Sequence, residues 1–206
     1  MTKEGFIFPL PFFILAATAF YLFNRFLIFS LAYAAVAFFM LGLLVMLFFR
    51  DPERQIPVGE KLVVSPADGR IIRCESKSER PTVSIFLSIL NVHVNRSPVT
   101  GRIKSINFVK GRFLTAFKKG AQVENQRNEI EIETKSGVVL FNQVTGSIAR
   151  RTIFYPEPGQ LVAAGERVGL IRFGSRVDLT LPSGTILNIR KGQRVKGGAT
   201  ILGRLP

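Results

Sequence analysis

The chain has 206 residues and a formal net charge of +14, which leaves room for one domain of ordinary size and an additional segment. Its single cysteine, Cys74, excludes an intramolecular disulfide framework. Cys74 follows a strand-like apolar run, so we interpret it as a small buried residue rather than a nucleophile. A surface this basic attracts polyanions, either nucleic acid or an anionic membrane leaflet.

The position of the charge favours the membrane. Residues 51–206 hold 25 Lys and Arg against 13 Asp and Glu, a net charge of +12. These basic residues are scattered among strand-like segments, and the sequence has neither a zinc-ligand spacing nor an aromatic RNA-stacking motif. We therefore predict an anionic membrane surface as partner and no nucleic acid. A solvated basic surface without a partner is the alternative.

The N-terminal quarter predicts a membrane anchor. Residues 5–23 and 26–49 are two uncharged apolar runs. The second has 24 residues, about 36 Å as a helix, against a hydrocarbon thickness of about 30 Å. Because Pro9 and Pro11 stand early in the first run, its helix is expected to begin after Pro11 or to enter the bilayer at an angle.

Asn24 and Arg25 separate the two runs and predict a two-helix hairpin with a two-residue turn. Both ends of such a hairpin lie on one side, and Lys3, Arg50 and Arg54 on that side favour a cytoplasmic location for the domain that follows. A spanning hairpin and a shallow one give the same orientation. A cleaved signal peptide is not expected, because no small-residue cleavage site follows a short apolar core.

The remaining chain, from residue 51, predicts a β domain. Short runs rich in Val, Ile, Phe or Thr, bounded by turn residues, indicate strands. They cover residues 62–65, 69–74, 82–90, 102–109, 128–134, 138–145, 168–173, 176–181 and 185–189. No long stretch has helical periodicity. We therefore divide the chain into a membrane-anchoring helical hairpin, residues 1–50, and a mainly β domain, residues 51–206.

An internal repeat refines the fold prediction. Residues 159–165 (GQLVAAG) recur 33 positions later as residues 192–198 (GQRVKGG), and an apolar strand is expected after each copy. The pattern is similar to one in biotinyl and lipoyl carrier domains, which are flattened barrels of β-hairpins. No lysine follows the second copy, so the carrier function loses its essential residue. The predicted fold is mainly β, a flattened barrel or sandwich with lipoyl-like hairpins, preceded by an N-terminal hydrophobic two-helix hairpin.

A Gly-Ser pair interrupts the alternating run of residues 170–179. Glycine adopts dihedrals that other residues cannot, and a distorted amide loses some of its resonance. The hydroxyl of Ser175 could then attack the carbonyl of Gly174. By itself, such a pair is more often a bulge or a tight turn.

Two further motifs accompany the pair. Residues 65–71 read SPADGRI and residues 86–101 read FLSILNVHVNRSPVTG. In this order, with FGS at residues 173–175, they resemble the phosphatidylserine decarboxylase proenzymes, specifically their short, membrane-associated branch. The resemblance covers roughly residues 50–206.

The resemblance implies that the chain cuts itself between Gly174 and Ser175. The products would be a large chain, residues 1–174, and a small chain, residues 175–206, capped by a pyruvoyl group derived from Ser175, with no metal. In the family, a histidine and an aspartate in the matching segments work with the serine. Those roles pass here to His93, the only histidine, as base, and to Asp68, which would orient and charge-stabilise the imidazole.

The implied reaction is the decarboxylation of phosphatidylserine to phosphatidylethanolamine. A pyruvoyl ketone condenses with a substrate amine and accepts the electrons left when CO₂ departs. Longer members have a second histidine where this chain has Arg96, so either His93 serves both maturation and proton delivery, or Asp68, Arg96 or water takes one role. Arg96 and Arg176 are candidate contacts for a substrate phosphate or carboxylate.

A different class of function is the alternative. The chain could be a non-catalytic, membrane-tethered β module of lipoyl-like shape that binds anionic lipid or a partner protein. The sequence is compatible with an oligomer and with lipids carrying either ester-linked or ether-linked tails.

Overall fold

The computed structural model describes residues 4–76, 78–112, 114, 124–146, 152–171 and 175–206. The chain divides into two compact units, Met1–Glu53 and Arg54–Pro206. The first unit is helical and the second is built from β-strands.

Three helices make the first unit: α1 (Glu4–Ile7), α2 (Leu10–Phe26) and α3 (Phe29–Phe48). Pro9 separates α1 from α2, and Pro11 lies in the first turn of α2, where the missing N–H breaks no helical hydrogen bond. The chain reverses at Leu27, whose φ is 54°, and Ile28. The turn predicted at Asn24 and Arg25 was therefore wrong by about one helical turn: both residues belong to α2, because the Asn24 side chain donates to the Phe20 carbonyl and does not break the helix.

Helices α2 and α3 pack as an antiparallel hairpin. The rings of Phe13 and Phe39 lie 5.6 Å apart, and those of Phe23 and Phe29 lie 5.9 Å apart. Gly42 allows the close approach, since a Cβ at this position would lie 2.6 Å from the Phe13 ring. Residues Gly5–Phe26 and Phe29–Phe48 are both long and apolar enough to cross a membrane.

The second unit has fourteen described strands. They are β1 (Leu62–Val64), β2 (Gly69–Glu75), β3 (Thr82–Leu87), β4 (Val94–Arg96), β5 (Gly101–Val109), β6 (Arg127–Thr134), β7 (Gly137–Val144), β8 (Thr152–Phe154), β9 (Leu161–Val162), β10 (Arg167–Ile171), β11 (Ser175–Thr180), β12 (Ile186–Leu187), β13 (Arg194–Val195) and β14 (Ile201–Arg204).

The predicted fold class is confirmed: the second unit is mainly β and follows an apolar two-helix hairpin. The apolar strands expected after the two repeat copies are β10 and β14. The strand predicted for residues 82–90 ends at Leu87, and β4 and β8 were not predicted as strands. Residues 172 and 173, at the end of another predicted strand, lie outside the described residues.

The strands form one eight-stranded sheet, β13-β2-β3-β11-β7-β6-β5-β9, and two three-stranded sheets, β1-β14-β12 and β4-β10-β8. If the large sheet is divided between β11 and β7, its two halves contain equivalent strands in the same order, counted from each outer edge inward. Strands β1, β2, β3, β11, β12, β13 and β14 then correspond to β4, β5, β6, β7, β8, β9 and β10. The unit therefore has an approximate two-fold symmetry, with one half inserted into the other between β3 and β11.

The backbone repeats this symmetry in detail. In the two copies of the repeat, Gly159 and Gly192 have φ of 92° and 91°, and Gly165 and Gly198 have φ of 79° and 75°. These left-handed conformations favour glycine. The amide of Gly165 donates to the Ser97 carbonyl, as the amide of Gly198 does to Ser65, both at 2.8 Å.

The two halves differ where β6 meets β7. In one half, these strands join through a tight turn between Thr134 and Gly137. In the other half, the corresponding strands β3 and β11 pair in the same antiparallel way, with Leu87 opposite Ser175. The whole of residues 88–174 stands there in place of the turn. Ser175 thus begins its strand at the end of the sheet where the inserted half enters and leaves.

A continuous apolar core lies beneath the large sheet. Its largest fully buried side chains include those of Phe141, Ile85, Leu179 and Leu202. Burial of an aliphatic or aromatic side chain of this size contributes about 1.5–3 kcal/mol relative to exposure. The core therefore holds the strand ends in fixed positions.

Candidate active site

Ser175 is the first residue of β11, and its side chain is fully buried. Its Oγ has no hydrogen-bond partner among the described residues. A buried hydroxyl without a partner costs free energy, so its retention at this strand end calls for an explanation outside packing. Gly174, the other half of the predicted cleavage site, lies outside the described residues.

Two loops lie at this end of the sheet, one after the strand next to Ser175 and one a strand farther away. On one flank, β3 ends at Leu87, directly opposite Ser175. On the far side of β3, Arg70 pairs with Phe86, which brings the turn containing Asp68 beside the end of β3. Two of the three sequence motifs therefore converge through strand register.

His93 lies at the other end of residues 172–174. Its carbonyl accepts a hydrogen bond of 3.2 Å from the amide of Ile171, the last residue of β10. Residues 88–93 therefore follow Leu87, which pairs with Ser175, and end beside Ile171. This loop, which we call the histidine loop, connects the strand partner of Ser175 with the residue that contacts Ile171, and Ile171 and Ser175 are the described residues on either side of the predicted cleavage site.

A side chain of the histidine loop fixes its shape. Asn91 Oδ1 accepts hydrogen bonds from the amide of Ser88 at 2.8 Å and from its hydroxyl at 2.7 Å. Such local bonds from a side chain to the backbone compete with the hydrogen bonds of a continuing strand. They end the strand predicted to continue through residue 90.

The imidazole of His93 is 2% exposed, and its Nδ1 lies 2.9 Å from the Asn91 carbonyl. A carbonyl oxygen only accepts, so Nδ1 carries the proton. In the neutral ring the lone pair then belongs to Nε2, which is the nitrogen able to act as a base.

Asp68 makes its hydrogen bonds elsewhere. Its Oδ2 accepts from Arg54 at 2.8 Å, and its Oδ1 accepts from the amide of Gly197 at 2.7 Å. The expected orienting bond from Asp68 to His93 is absent from this part of the described chain, and the Asn91 carbonyl holds the imidazole instead. The physical reason is that Asp68 belongs to a turn whose geometry directs its carboxylate toward residues 196–198.

The two-fold symmetry of the domain shows which of the two hydrogen bonds of Asp68 belongs to the fold. In the other half, Thr100 occupies the same position, and its Oγ1 accepts from the amide of Ala164 at 3.0 Å. The bond to Gly197 is thus a feature of the fold. The negative charge and the ion pair with Arg54, whose two side chains are 13% and 15% exposed, occur only in the half with Ser175.

The two arginines predicted to contact substrate are held inside the protein. Arg96 donates to the Gly165 carbonyl at 2.9 Å, and its Cδ packs against Gly198. Arg176 donates to Asp178 at 2.6 Å and to the hydroxyl of Ser84 at 2.8 Å. These bonds favour structural roles, and contact with a substrate stays a prediction for both.

The sequence reading missed Arg54, Asn91 and Ser88. A signal for the first was available, since Arg54 stands in a charged connector just before the domain. The repeat of S-P-x-x-G at residues 65–69 and 97–101 could have revealed that Asp68 and Thr100 occupy equivalent turns. The hydrogen bonds of Asn91 had no sequence signal beyond its preference for turns.

Metal-ligand clusters and the cysteine thiol are the remaining candidates for chemistry. No group of three His, Cys, Asp or Glu side chains that could hold a metal occurs among the described residues. Burial raises the pKa of the Cys74 thiol, which keeps the sulfur protonated and weakly nucleophilic.

A cavity of about 620 Å³ opens at the Asp68 end of the site. Its lining includes Ser88 and Asn91 of the histidine loop and the cations Arg70, Arg194 and Lys196. The site therefore combines a buried hydroxyl, an oriented imidazole and a basic cavity, a set suited to acyl transfer within the chain and to a small anionic substrate.

Comparison with known proteins agrees with this geometry. A family model described as phosphatidylserine decarboxylase matches residues 41–203. The chain is 43% identical over 180 residues to the phosphatidylserine decarboxylase proenzyme of Chlorobaculum tepidum, covering 84% of this chain and 82% of that protein. For the proenzyme of Geobacter metallireducens the identity is 44% over 181 residues, with coverages of 84% and 83%.

An archaeal relative is similar to the same degree. The putative archaetidylserine decarboxylase proenzyme of Methanosarcina barkeri is 43% identical over 173 residues, covering 83% of this chain and 80% of that protein. The family model begins within α3 and covers the β domain to residue 203, so it includes all three motifs. The chain belongs to the phosphatidylserine decarboxylase family and is a decarboxylase.

Proposed function

We propose that the protein decarboxylates a serine phospholipid, phosphatidylserine, to phosphatidylethanolamine after cutting itself between Gly174 and Ser175. The observation that carries the proposal is the Ser175 hydroxyl, fully buried and without a partner among the described residues, at the start of β11. The histidine loop, which connects the strand partner of Ser175 with the residue that contacts Ile171, supports it.

Self-cleavage is an acyl shift followed by an elimination. The Oγ of Ser175 attacks the carbonyl carbon of Gly174, the C–N bond breaks, and the amide nitrogen takes up a proton. The resulting ester loses the Gly174 carboxylate when the Cα proton of residue 175 is removed, which leaves dehydroalanine. One water then hydrolyses this residue to a pyruvoyl group and releases ammonia.

His93 is the base in this sequence. With Nδ1 held by the Asn91 carbonyl, Nε2 can accept the hydroxyl proton and return it to the amine that leaves. Asp68 and Arg54 keep the S-P-A-D-G turn in place beside β3. In this role Asp68 supports the site without touching the imidazole.

The residues fit a pyruvoyl group, because residue 175 begins a strand and its Oγ has no partner within the part of the chain that the structure describes. When formed, that group supplies an electron sink for the departure of CO₂ from an amine-linked substrate. The chain itself excludes water by burial of His93 and Ser175 and provides cations at the cavity. The imidazolium of His93 can deliver the proton that replaces CO₂.

The substrate is embedded in a bilayer, and the two apolar helices Gly5–Phe26 and Phe29–Phe48 suit a membrane location. We propose that the β domain lies on the cytoplasmic side. Similarity to bacterial and archaeal relatives at about the same identity leaves both ester-linked and ether-linked tails as substrates, since the headgroup chemistry is the same.

Denaturing electrophoresis and mass spectrometry of the purified protein test the proposal. We expect two chains, the smaller starting at residue 175 and lighter by one ammonia than a chain that starts with serine. The Ser175→Ala variant should remain one chain. A wild-type protein that stays uncut and shows no decarboxylase activity would instead support a non-catalytic β module that binds lipid or a partner protein.

His93→Ala tests the base. Loss of a general base typically slows a step by about 10²–10⁴-fold, so the variant should accumulate precursor over the time in which the wild type matures. The fraction cleaved is followed on gels, with circular dichroism as the control for folding. Maturation at the wild-type rate in a folded variant would assign the base elsewhere.

A further inference from the structure

Three cations line the cavity beside the site, and the proposed mechanism gives them no role. Arg70 is on β2, and Arg194 and Lys196 are on or just after β13. All three side chains are exposed and line the cavity of about 620 Å³. Neighbouring strands lie about 4.8 Å apart, so β11, which begins at Ser175, lies about 10 Å from β2 and about 14 Å from β13.

Two of the cations are placed directly against each other. Arg194 and Arg70 are paired residues on neighbouring antiparallel strands. Like charges at such a position are destabilising. One carboxylate, that of Asp68, lines the same cavity, but its oxygens accept from Arg54 and from the amide of Gly197. Within the described ranges, the side chains of Arg70, Arg194 and Lys196 form no hydrogen bond or ion pair. An excess of positive charge in a cavity indicates an anionic ligand.

The other half of the domain is an internal control. The equivalents of Arg194 and Lys196 in the first repeat copy are Leu161 and Ala163. Leu161 pairs with Arg102 as Arg194 pairs with Arg70. The fold therefore accepts apolar side chains at these two positions, and cations at these two positions appear only in the half that carries Ser175, whereas the equivalent of Arg70 is also an arginine, Arg102.

A second cavity, at the turn that contains Thr100, has a different lining. Its volume is about 500 Å³, and its charged residues are Glu60, Lys61 and Lys135. None of these lies on the strand pair β5–β9. The arginine pair thus does not follow from the cavity itself.

The rim of the basic cavity is apolar. Ile89 and Leu90, in the histidine loop, are 52% and 76% exposed. Two neighbouring large apolar side chains above a basic surface suit the boundary between headgroups and acyl chains, where apolar groups are buried and cations meet phosphates. This arrangement favours a lipid over a free anion.

We propose that Arg70, Arg194 and Lys196 form the phosphodiester subsite for the lipid headgroup, with Ile89 and Leu90 against its first tail carbons. Guanidinium groups bind phosphate oxygens in bidentate fashion. The serine part of the headgroup then extends toward the start of β11. The proposal rests on the proposed function and names which residues bind the substrate in place of Arg96 and Arg176.

The test exchanges the cations for the residues of the other half. The variant Arg194→Leu/Lys196→Ala has the side chains that the equivalent strand tolerates, so we expect it to fold and to cut itself as the wild type does. The control Arg102→Gln/Lys110→Ala removes one positive charge from β5, the equivalent of β2, and one from the residue that follows β5. All chains are used at full length in detergent micelles.

The direct readout is binding of glycerophosphoethanolamine, the tail-free product headgroup, measured by calorimetry on the matured protein. Loss of hydrogen bonds from charged donors should raise its dissociation constant about tenfold or more. The control variant should bind like the wild type. In mixed micelles, KM for phosphatidylserine should rise by a similar factor while kcat changes little.

Three outcomes would overturn the subsite. Unchanged headgroup binding with weaker attachment to anionic vesicles would make the cations a general membrane contact. Inorganic phosphate that competes as well as the headgroup would indicate a free-phosphate site. If the control variant weakened headgroup binding by the same factor, net charge alone would explain the effect. Failure of the wild type to cut itself would instead remove the proposed function, while headgroup binding can still be measured.

Discussion

At the scale of single residues, Asp68 shows how the same position can serve the fold and the chemistry. Its Oδ1 accepts the Gly197 amide as Thr100 accepts the Ala164 amide in the other half. Its second oxygen binds Arg54. The charge at Asp68 is therefore an addition to a turn that a neutral hydroxyl can stabilise.

Asp68→Thr separates the two roles. Threonine keeps an acceptor for the Gly197 amide, so we expect the variant to fold with a melting temperature close to that of the wild type. Because the carboxylate and the Arg54 ion pair are lost, self-cleavage should be slowed strongly. Densitometry of the precursor over time measures it, and cleavage at the normal rate would restrict Asp68 to a structural role.

At the scale of elements, the histidine loop adds His93 and the supporting Asn91 to the end of the sheet where β11 begins. Asn91 uses Oδ1 to bind Ser88 and its carbonyl to bind His93. The side chain shapes the loop while the main chain selects the tautomer of the imidazole. Asn91 is thus a positioning residue for His93.

Asn91→Ala should slow maturation while costing only about 1 kcal/mol of stability, the net contribution of a typical hydrogen bond. Asn91→Asp keeps the acceptor that Ser88 needs and should restore most of the rate. Asn107→Ala, at an exposed position on β5, is the matched control. Maturation rates measure the effect on cleavage, and chemical denaturation measures the effect on stability. If Asn91→Asp matured as slowly as Asn91→Ala, the side-chain acceptor would not be what positions His93.

The two glycines of the second repeat copy differ in their surroundings. Both have positive φ, 91° at Gly192 and 75° at Gly198. A Cβ at Gly192 meets nothing within 4 Å, whereas one at Gly198 would lie 2.7 Å from Arg96 Cδ. Arg96 must therefore move if Gly198 gains a side chain.

Gly192→Ala should cost about 1–2 kcal/mol for the left-handed backbone alone. Gly198→Ala carries the same backbone cost and a steric cost of about 1–3 kcal/mol in addition. The two free energies of unfolding, compared in the Ser175→Ala background to avoid cleavage, give the difference. Equal values would mean that Arg96 moves aside without cost.

At the scale of the whole molecule, the two units have separate tasks. The helices of the first unit expose many large apolar side chains, whereas the β domain encloses its own core. We expect the net charge of +12 on residues 51–206 to attract anionic lipid, an interaction that salt screens over about 10 Å at 0.1 M and about 3 Å at 1 M.

A chain that begins at residue 54 should therefore fold and cut itself in detergent. Its binding to anionic vesicles should be weaker than that of the full chain and should fall steeply between low and high salt. The full chain should stay bound at both. Co-sedimentation with vesicles measures the difference, and salt-resistant binding of the shortened chain would show an apolar contact within the β domain strong enough to act alone.

Local patterns predicted much of the fold and the identity of the site. Alternating apolar residues predict strands such as β6 and β11, because a half-buried strand has a period of two. They did not predict β4 or β8, each three residues long, where burial in a small sheet outweighs local pattern. Ser175 and His93 could be named because their motifs resemble a family.

The sequence by itself determined the apolar hairpin, the β class of the domain and the family, because these depend on runs of residue types and on short motifs. Only the tertiary structure decided that Asn91 rather than Asp68 contacts the imidazole, that Arg96 and Arg176 are held inside, and that Arg70 faces Arg194. Those contacts join residues far apart in the chain, and strand register and the two-fold arrangement of the sheet, which no local pattern encodes, bring them together.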